Sequence, residues 1–164
     1  QGAQASRKII FNGAETAGKD QTSINTLSKT KSGDTGILTF EKSHTGMSCV
    51  KTNPELPYAF GIEEDSIRPG ERFSVGVWVS GDLKDVVLVG SGLDSQEFYV
   101  SSNALIAEEE NGWKKISMDF TIDKRIKDDI IKIYVWNSGK ETVFFDDFRC
   151  DRISPLTIDL TANE

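Results

Sequence analysis

The sequence has few of the residues that build metal centres, disulfide scaffolds or nucleophilic catalytic sites. Its 164 residues include one histidine, two cysteines and four prolines. The single histidine, His44, excludes His-rich metal sites, and we interpret it as a turn residue beside Gly46. The cysteines have no CxxC or Cys/His spacing for zinc and are too few for a disulfide-dense fold. Phosphate-loop, dinucleotide-binding and nucleophile-elbow motifs are also missing. We therefore expect a protein that is not an enzyme.

The chain also lacks a long apolar run and an excess of positive charge. No run approaches the ~20 apolar residues of a membrane-spanning helix, so we expect no membrane insertion. With 19 Lys and Arg against 26 Asp and Glu, the net charge of −7 disfavours nucleic acid as a partner. The 37% apolar content is that of a soluble globular chain. We predict one domain over residues 1–153, followed by a tail or linker over residues 154–164.

Short alternating runs of apolar and polar residues, separated by Gly, Asp, Asn, Ser and Pro, predict an all-β fold. The predicted strands cover residues 8–11, 36–40, 46–50, 58–62, 73–79, 86–89, 97–100, 113–122, 130–136 and 142–150. About ten strands of this kind favour an antiparallel β-sandwich. Residues 103–110 have helical character but are too short to form a helix that stands alone. Residues 124–129 form at most one turn, and residues 17–33 are interpreted as a long loop.

Alternation also predicts which side of each sheet a residue occupies. In the run 73–79, four apolar residues share one face, and Trp78 lies on the other. In the run 130–136, Ile131, Ile133 and Val135 face inward. The residues on the opposite side are Lys132, Tyr134 and Trp136. Two predicted strands thus carry tryptophan on the side that should face water.

Five segments together resemble carbohydrate-binding modules with the galactose-binding-like jelly roll. They are, in order, NGAET (12–16), SHTGMSCV (43–50), IRPGERFSVGVWV (67–79), NGWKK (111–115) and TVFFDDFR (142–149). The resemblance extends over most of the chain and implies a jelly-roll β-sandwich. It also implies that Trp113 begins a strand and packs beneath its neighbours. Many domains of this fold have no ligand of their own, so the fold by itself does not imply sugar binding.

Modules of this family often hold a structural calcium ion at the edge of the sandwich. The resemblance implies that Glu15 and one of Asp146 or Asp147 would bind it, together with backbone carbonyl groups. Ala14 departs from the family pattern, which commonly has an aromatic residue there. The alternative is that Asp146 and Asp147 face solvent and a nearby Lys or Arg.

Sugar rings present apolar C–H faces and hydroxyl groups, so a binding site needs aromatic platforms with polar groups beside them. Trp78, Tyr134 and Trp136 are the predicted platform, oriented by Lys132 and Asn137. Asp119 and Arg68 are further candidates for hydrogen bonding. Tyr58 and Tyr99 form an alternative platform at an edge, and Tyr58 is expected to share a face with Phe60. The predicted partner is a polysaccharide or oligosaccharide.

The sequence leaves three questions open. The outward tryptophans could be covered by the 17–33 loop, in which case the chain is a structural or protein-interaction domain. Cys49 and Cys150 could form one disulfide, or both could be free and buried. The chain starts at Gln1 without an apolar signal segment, so it is either the processed form or part of a longer protein. We expect a secreted, periplasmic or cell-surface location.

Overall fold

A computed structural model describes residues 3–4, 6–15, 36–155 and 157–158, and nearly all of its regular structure is β-strand. One 3-10 turn, Lys127–Asp129, falls within the segment predicted as at most one turn. The strands are β1 (Ala3–Gln4), β2 (Arg7–Asn12), β3 (Ile37–Thr39), β4 (Cys49–Thr52), β5 (Tyr58–Glu64), β6 (Arg72–Ser80), β7 (Val86–Gly92), β8 (Tyr99–Ser102), β9 (Ala104–Glu108), β10 (Lys114–Thr121), β11 (Ile131–Asn137), β12 (Val143–Ile153) and β13 (Thr157–Ile158).

The described strands form two main antiparallel sheets. The larger sheet has the order β3-β4-β12-β6-β10-β9, and β2 also pairs with β12. The smaller sheet has the order β5-β11-β7-β8. Strands β1 and β13 form a separate pair. The two packed sheets confirm the all-β sandwich predicted from alternation.

The core lies between the two main sheets, on the faces that the alternation predicted. Val75 and Val77 of the larger sheet and Ile131 and Ile133 of the smaller sheet belong to one buried cluster. Aromatic side chains span the layers, and the Phe60 and Phe148 rings stack with centroids 5.4 Å apart. Burial of such side chains stabilises a fold by roughly 1.5–3 kcal/mol each. Period-two patterning is therefore the main source of this architecture.

The segment predicted to be helical is an edge strand. Ala104–Glu108 forms β9 and pairs with β10, which corrects the helical prediction for residues 103–110. Alanine, leucine and glutamate favour helix, but eight residues gain little from local propensity. Hydrogen bonds to β10 outweigh that propensity because they satisfy the backbone along a neighbouring strand.

Some sequence predictions fall outside the described residues. The 17–33 loop is one of them. In the predicted tail, residues 154–155 and the strand Thr157–Ile158 are described, and this strand pairs with Ala3–Gln4. The division at residue 153 stays a prediction. In the described part of the chain, no helix has the length and apolar character needed to cross a membrane.

Both cysteines are buried and free, which selects one of the two alternatives left open by the sequence. Val50, next to Cys49, pairs with Phe145 of β12. This register puts Cys49 about four residues from Cys150 along the strand, or ~13 Å, whereas a disulfide needs Cα atoms within ~7 Å. Burial raises the pKa of each thiol to about 12.

Candidate functional site

Three aromatic side chains lie together on the outer side of the smaller sheet. Tyr134 and Trp136 alternate with the inward residues of β11, and both are half-buried. The Tyr58 and Trp136 rings stack, with centroids 6.2 Å apart and planes 24° apart. Tyr58 meets Tyr134 edge-on, with centroids 5.6 Å apart. The predicted pair Tyr134 and Trp136 is thus joined by Tyr58, which the sequence offered as part of an alternative platform.

A β-bulge in β5 brings Tyr58 to this face. Tyr134 pairs with Gly61 and Trp136 pairs with Tyr58, so three steps along β5 match two steps along β11. The extra residue reverses the alternation, and Ala59 and Phe60 are both in the core. The expectation that Tyr58 and Phe60 share a face is therefore wrong. Strict alternation contains no signal for an inserted residue.

Polar groups extend the face across all four strands. Lys132 pairs with Glu63 on one side and with Ser91 on the other. Ser91 in turn pairs with Tyr99, which is 46% exposed. Directly paired residues of antiparallel strands point to the same side of the sheet. We call Tyr58, Tyr99, Tyr134 and Trp136, with the polar groups of Lys132, Glu63 and Ser91, the aromatic face.

The environment of Tyr134 keeps its phenol neutral. Burial raises the pKa of Tyr134 to about 12, and the phenols of Tyr99 and Tyr58 act in the same direction. A neutral phenol both donates and accepts a hydrogen bond. The centre of the aromatic face therefore offers a ring and a hydroxyl group at any physiological pH.

Trp78 lies in the other sheet and is half-buried, as Trp136 is. It is on β6, on the side of the larger sheet that faces away from the core. The His44 imidazole stacks on its indole, with centroids 4.1 Å apart and planes 15° apart. Trp136 faces outward from the smaller sheet, on the opposite side of the sandwich. The prediction that Trp78 and Trp136 share one platform is therefore wrong. Alternation predicts which side of a strand faces outward, but it does not predict to which sheet the strand belongs.

His44 has a more specific role than a turn residue. Its Nδ1 lies 2.7 Å from Asp147 Oδ2, and its Nε2 lies 3.1 Å from Glu109 Oε1. Burial lowers the pKa of His44, but the hydrogen bonds to Asp147 and Glu109 outweigh burial, and the net direction is upward. Trp113 meets the imidazole edge-on at 5.6 Å and is buried, as the resemblance implied. His44 therefore packs against two tryptophans and two carboxylates on the outer side of the larger sheet.

Asp146 holds the loop that carries His44. This carboxylate is fully buried, and its Oδ2 accepts the backbone N–H of His44 at 2.9 Å and that of Thr45 at 3.2 Å. Its Oδ1 accepts the backbone N–H of Asp147 at 2.8 Å. Burial raises the pKa of Asp146 to about 6. Asp147 has φ of 52° where the pairing of β12 with β6 shifts, and this bulge directs both carboxylates toward the loop.

Glu15 reaches the same loop from the end of the first long strand. Its Oε1 accepts the backbone N–H groups of Met47 at 2.9 Å and Ser48 at 3.0 Å. The Ser48 hydroxyl donates to the Ala14 carbonyl at 2.6 Å. The 43–48 loop is therefore held from both chain ends of the sandwich by carboxylate acceptors.

The three acids named as calcium ligands thus converge on one loop. Asp147 contacts His44, and no Lys or Arg within the described ranges forms an ion pair with Glu15, Asp146 or Asp147. Carboxylate and carbonyl oxygens are the donors that calcium takes, so the residues fit this ion in their chemistry. Among the described residues, however, no three acid, Cys or His side chains surround a common point. The calcium role stays a prediction.

Asn137 is not on the aromatic face. It ends β11 on the inward side and is 2% exposed. Its Nδ2 donates to Thr52 Oγ1 at 3.0 Å and to the Glu141 carbonyl at 2.9 Å, and its Oδ1 accepts the Gly139 N–H at 3.1 Å. These bonds leave it buried in a turn, which corrects its predicted contact with a ligand. Asn137 lies two residues after the inward-facing Val135, so alternation would have placed it on the inward side as well. The turn residues that follow it led to its assignment as a ligand contact.

The two further hydrogen-bonding candidates also lie elsewhere. Arg68 pairs with Asp129 at 3.0 Å in a loop. Asp119 is on the larger sheet, opposite Ser74. Of the predicted polar partners, Lys132 alone is on the aromatic face.

No protein-family profile matches the sequence. No curated protein matches it.

Several of the solved structures similar to the chain are carbohydrate-binding modules. One is the C-terminal family 22 module of Clostridium thermocellum Xyn10B, at 12% identity and TM-score 0.49, with 70% of this chain and 79% of that one covered. A second is the CBM22-1 xylan-binding domain from Paenibacillus barcinonensis Xyn10C, at 12% identity and TM-score 0.46, with 97% and 88% covered. A family 16 module has 15% identity and TM-score 0.41, with 74% and 84% covered.

Proposed function

We propose that this chain is a non-catalytic, carbohydrate-binding β-sandwich domain whose aromatic face binds a saccharide. The observation that carries the proposal is the cluster of Tyr58, Tyr134 and Trp136 on the outer side of the smaller sheet. These rings are half-buried. Each ring is therefore held in place by neighbouring residues and still has exposed surface that a ligand can contact. The cluster differs from the predicted platform in replacing Trp78 by Tyr58.

The rings bind by stacking against the C–H face of a sugar. Trp136 and Tyr58 are inclined by only 24°, so together they form a surface broader than one ring. Aromatic contacts of this kind are worth ~0.5–1.5 kcal/mol beyond the area that they bury. Affinity is therefore weak for a single sugar unit and grows with the number of units stacked.

Polar groups set the orientation of the bound saccharide. Lys132 donates to ring or hydroxyl oxygens, and Glu63, which pairs with it, accepts hydroxyl protons. Tyr99 stands at the far edge of the same row. A polysaccharide or oligosaccharide lying across the strands would meet both the rings and this polar row.

Catalysis has no support on this face. Glycoside hydrolysis uses two carboxyl groups on opposite sides of the bond that is cleaved. Of the strand residues that the described register assigns to this face, Glu63 is the sole carboxylate. We accordingly propose a binding domain of a larger exported or surface protein, with no reaction of its own.

Alanine substitution tests the proposal directly. Wild-type chain is titrated with a panel of neutral oligosaccharides, and each hit is repeated with Trp136→Ala and Tyr58→Ala. We expect about a tenfold loss of affinity for each variant, because each removes one stacking ring. Phe40→Ala, at a ring that is 69% exposed elsewhere, is the matched control.

Three results would contradict the proposal. Unchanged affinity in Trp136→Ala, with the fold intact by circular dichroism, means that the saccharide binds elsewhere. No binding to any glycan, together with tryptophan emission that acrylamide does not quench, favours the structural or protein-interaction domain. A loss confined to Trp78→Ala would assign binding to the larger sheet.

A further inference from the structure

A second groove lies on the opposite side of the sandwich, on the outer face of the larger sheet. It encloses about 260 Å³, below the ~300–1,000 Å³ of pockets for drug-sized ligands. Its size therefore suits a unit no larger than one sugar ring. The groove is independent of the aromatic face. Its lining includes Gly76 and the polar residues Ser74, Lys115, Ser117, Arg149 and Asp151.

Gly76 forms the floor of this groove. It pairs with Ser117 on one neighbouring strand and with Arg149 on the other. A methyl group on Gly76 would lie 3.0 Å from Lys115 Cε and 3.9 Å from its Nζ. The absence of a side chain therefore lets the lysine lean over the floor, toward the arginine on the far side.

The two cations differ in how they are held. Arg149 donates from Nε and Nη2 to the two carboxylate oxygens of Asp151, at 2.8 and 3.2 Å. This bidentate pair orients the guanidinium group and leaves Nη1 free of that carboxylate. Within the described residues, the Lys115 ammonium group has no hydrogen bond or ion pair. A chain with net charge −7 thus presents an unpaired cation beside an oriented one.

The remaining lining suits a sugar better than a peptide. Ser74 and Ser117 offer hydroxyl groups, while both carboxylate oxygens of Asp151 are bonded to Arg149. Two exposed apolar residues, Ile106 and Phe11, lie near the two ends of the groove, and each is 56% exposed. Phe11 is the strand partner of Arg149. Asp119 pairs with Ser74 at one end of the groove. Its negative charge would repel an anion, so an anion would bind nearer to Lys115.

We propose that this groove binds a uronic acid unit of an acidic saccharide, with its carboxylate between Lys115 and Arg149 and its hydroxyl groups on Ser74 and Ser117. Charge-assisted hydrogen bonds to the carboxylate supply the selection against neutral sugars. The domain would then bind saccharide on both sides, with neutral units on the aromatic face and acidic units here. This site does not rest on the function proposed for the aromatic face.

The experiment uses the full chain and trigalacturonate as the probe, with neutral galactotriose for comparison. Binding is measured by calorimetry at low and high salt. Lys115→Gln removes the unpaired charge, and Gly76→Ala fills the floor without changing any charge. We expect each to weaken trigalacturonate binding by about tenfold, and high salt to weaken the wild type. Lys84→Gln, the same charge change on an exposed loop, is the control and should bind normally.

The outcomes separate this groove from the aromatic face. Equal affinity of wild type and both groove variants, or no binding of trigalacturonate at all, overturns the proposal. A poly-glutamate peptide that binds as tightly, with the same dependence on Lys115, overturns the assignment to a saccharide. Loss of trigalacturonate binding in Trp136→Ala would place the acidic ligand on the aromatic face instead. Circular dichroism of each variant confirms that the comparison is between folded chains.

Discussion

The imidazole of His44 lies flat against the indole of Trp78, with ring centroids 4.1 Å apart. This stack covers one face of Trp78, which is one of the two tryptophans that alternation directs away from the core. Trp136, on the other sheet, stacks with Tyr58 and is half-buried, as Trp78 is. The two tryptophans therefore differ in the ring that stacks on them, an imidazole on Trp78 and a phenol on Trp136.

Removal of the imidazole should loosen the 43–48 loop and uncover Trp78. We expect His44→Ala to lower the free energy of unfolding by about 1–2 kcal/mol, because the stack and the hydrogen bonds to Asp147 and Glu109 are lost. In a Trp136→Phe background, tryptophan emission should also shift to the red. Urea unfolding and fluorescence measure the two effects, with Lys84→Ala as the control. A variant with unchanged stability and emission would show that the stack does not hold the loop.

The buried turn amide should matter for stability and not for affinity. Asn137→Ala deletes three hydrogen bonds inside the sandwich, so we expect the free energy of unfolding to fall by about 2 kcal/mol. Its exposed neighbour in Ser138→Ala should change little. Urea denaturation gives the stabilities, and saccharide titration below the unfolding range gives the affinities. A stable Asn137→Ala variant that lost affinity would restore Asn137 as a binding residue.

Stability in acid should depend on an ion pair at the far end of β12. Arg152 donates to both carboxylate oxygens of Glu71, at 2.8 and 2.9 Å. Burial opposes ionisation, but the bonds from Arg152 and the Arg68 N–H outweigh it, so the pKa of Glu71 lies below its ordinary value of 4.5. The contribution of Glu71 is therefore present above pH 4.5 and is lost as the pH falls through the lowered pKa.

Glu71→Gln should make the loss of stability in acid less steep and cost about 2 kcal/mol at neutral pH. Urea unfolding from neutral to acidic pH measures both effects. Glu55→Gln, at an exposed turn, is the control with the same change of charge. An identical slope in wild type and Glu71→Gln would mean that other carboxyl groups control acid unfolding.

Calcium should stabilise the chain if Glu15, Asp146 and Asp147 bind it. The three carboxylates converge on the 43–48 loop without a Lys or Arg partner among the described residues, so a divalent ion would relieve their repulsion. We expect Tm to rise with calcium and fall with a chelator, and Glu15→Gln to abolish the difference. Glu55→Gln should retain it. An unchanged Tm would mean that N–H donors alone hold these acids.

Prediction from sequence succeeded where one strand contains all the information. The inward residues of β6, β10 and β11 follow from alternation within each run, because a pleated strand directs successive side chains to opposite sides. The outward positions of Trp78, Lys132, Tyr134 and Trp136 follow in the same way. The helical prediction for residues 103–110 failed because an edge strand receives its hydrogen bonds from a neighbour that local propensity does not include.

The amino-acid sequence by itself determines that the domain is acidic and all-β. It also determines that there are enough alternating strands for two sheets, with aromatic rings on the side away from the core. The tertiary structure alone decided that Trp78 and Trp136 lie on opposite sides, since pairing partners define a sheet. It also brought Tyr58 outward through one inserted residue and laid His44 on Trp78. Both depend on contacts between segments far apart in the chain, whose register no local pattern contains.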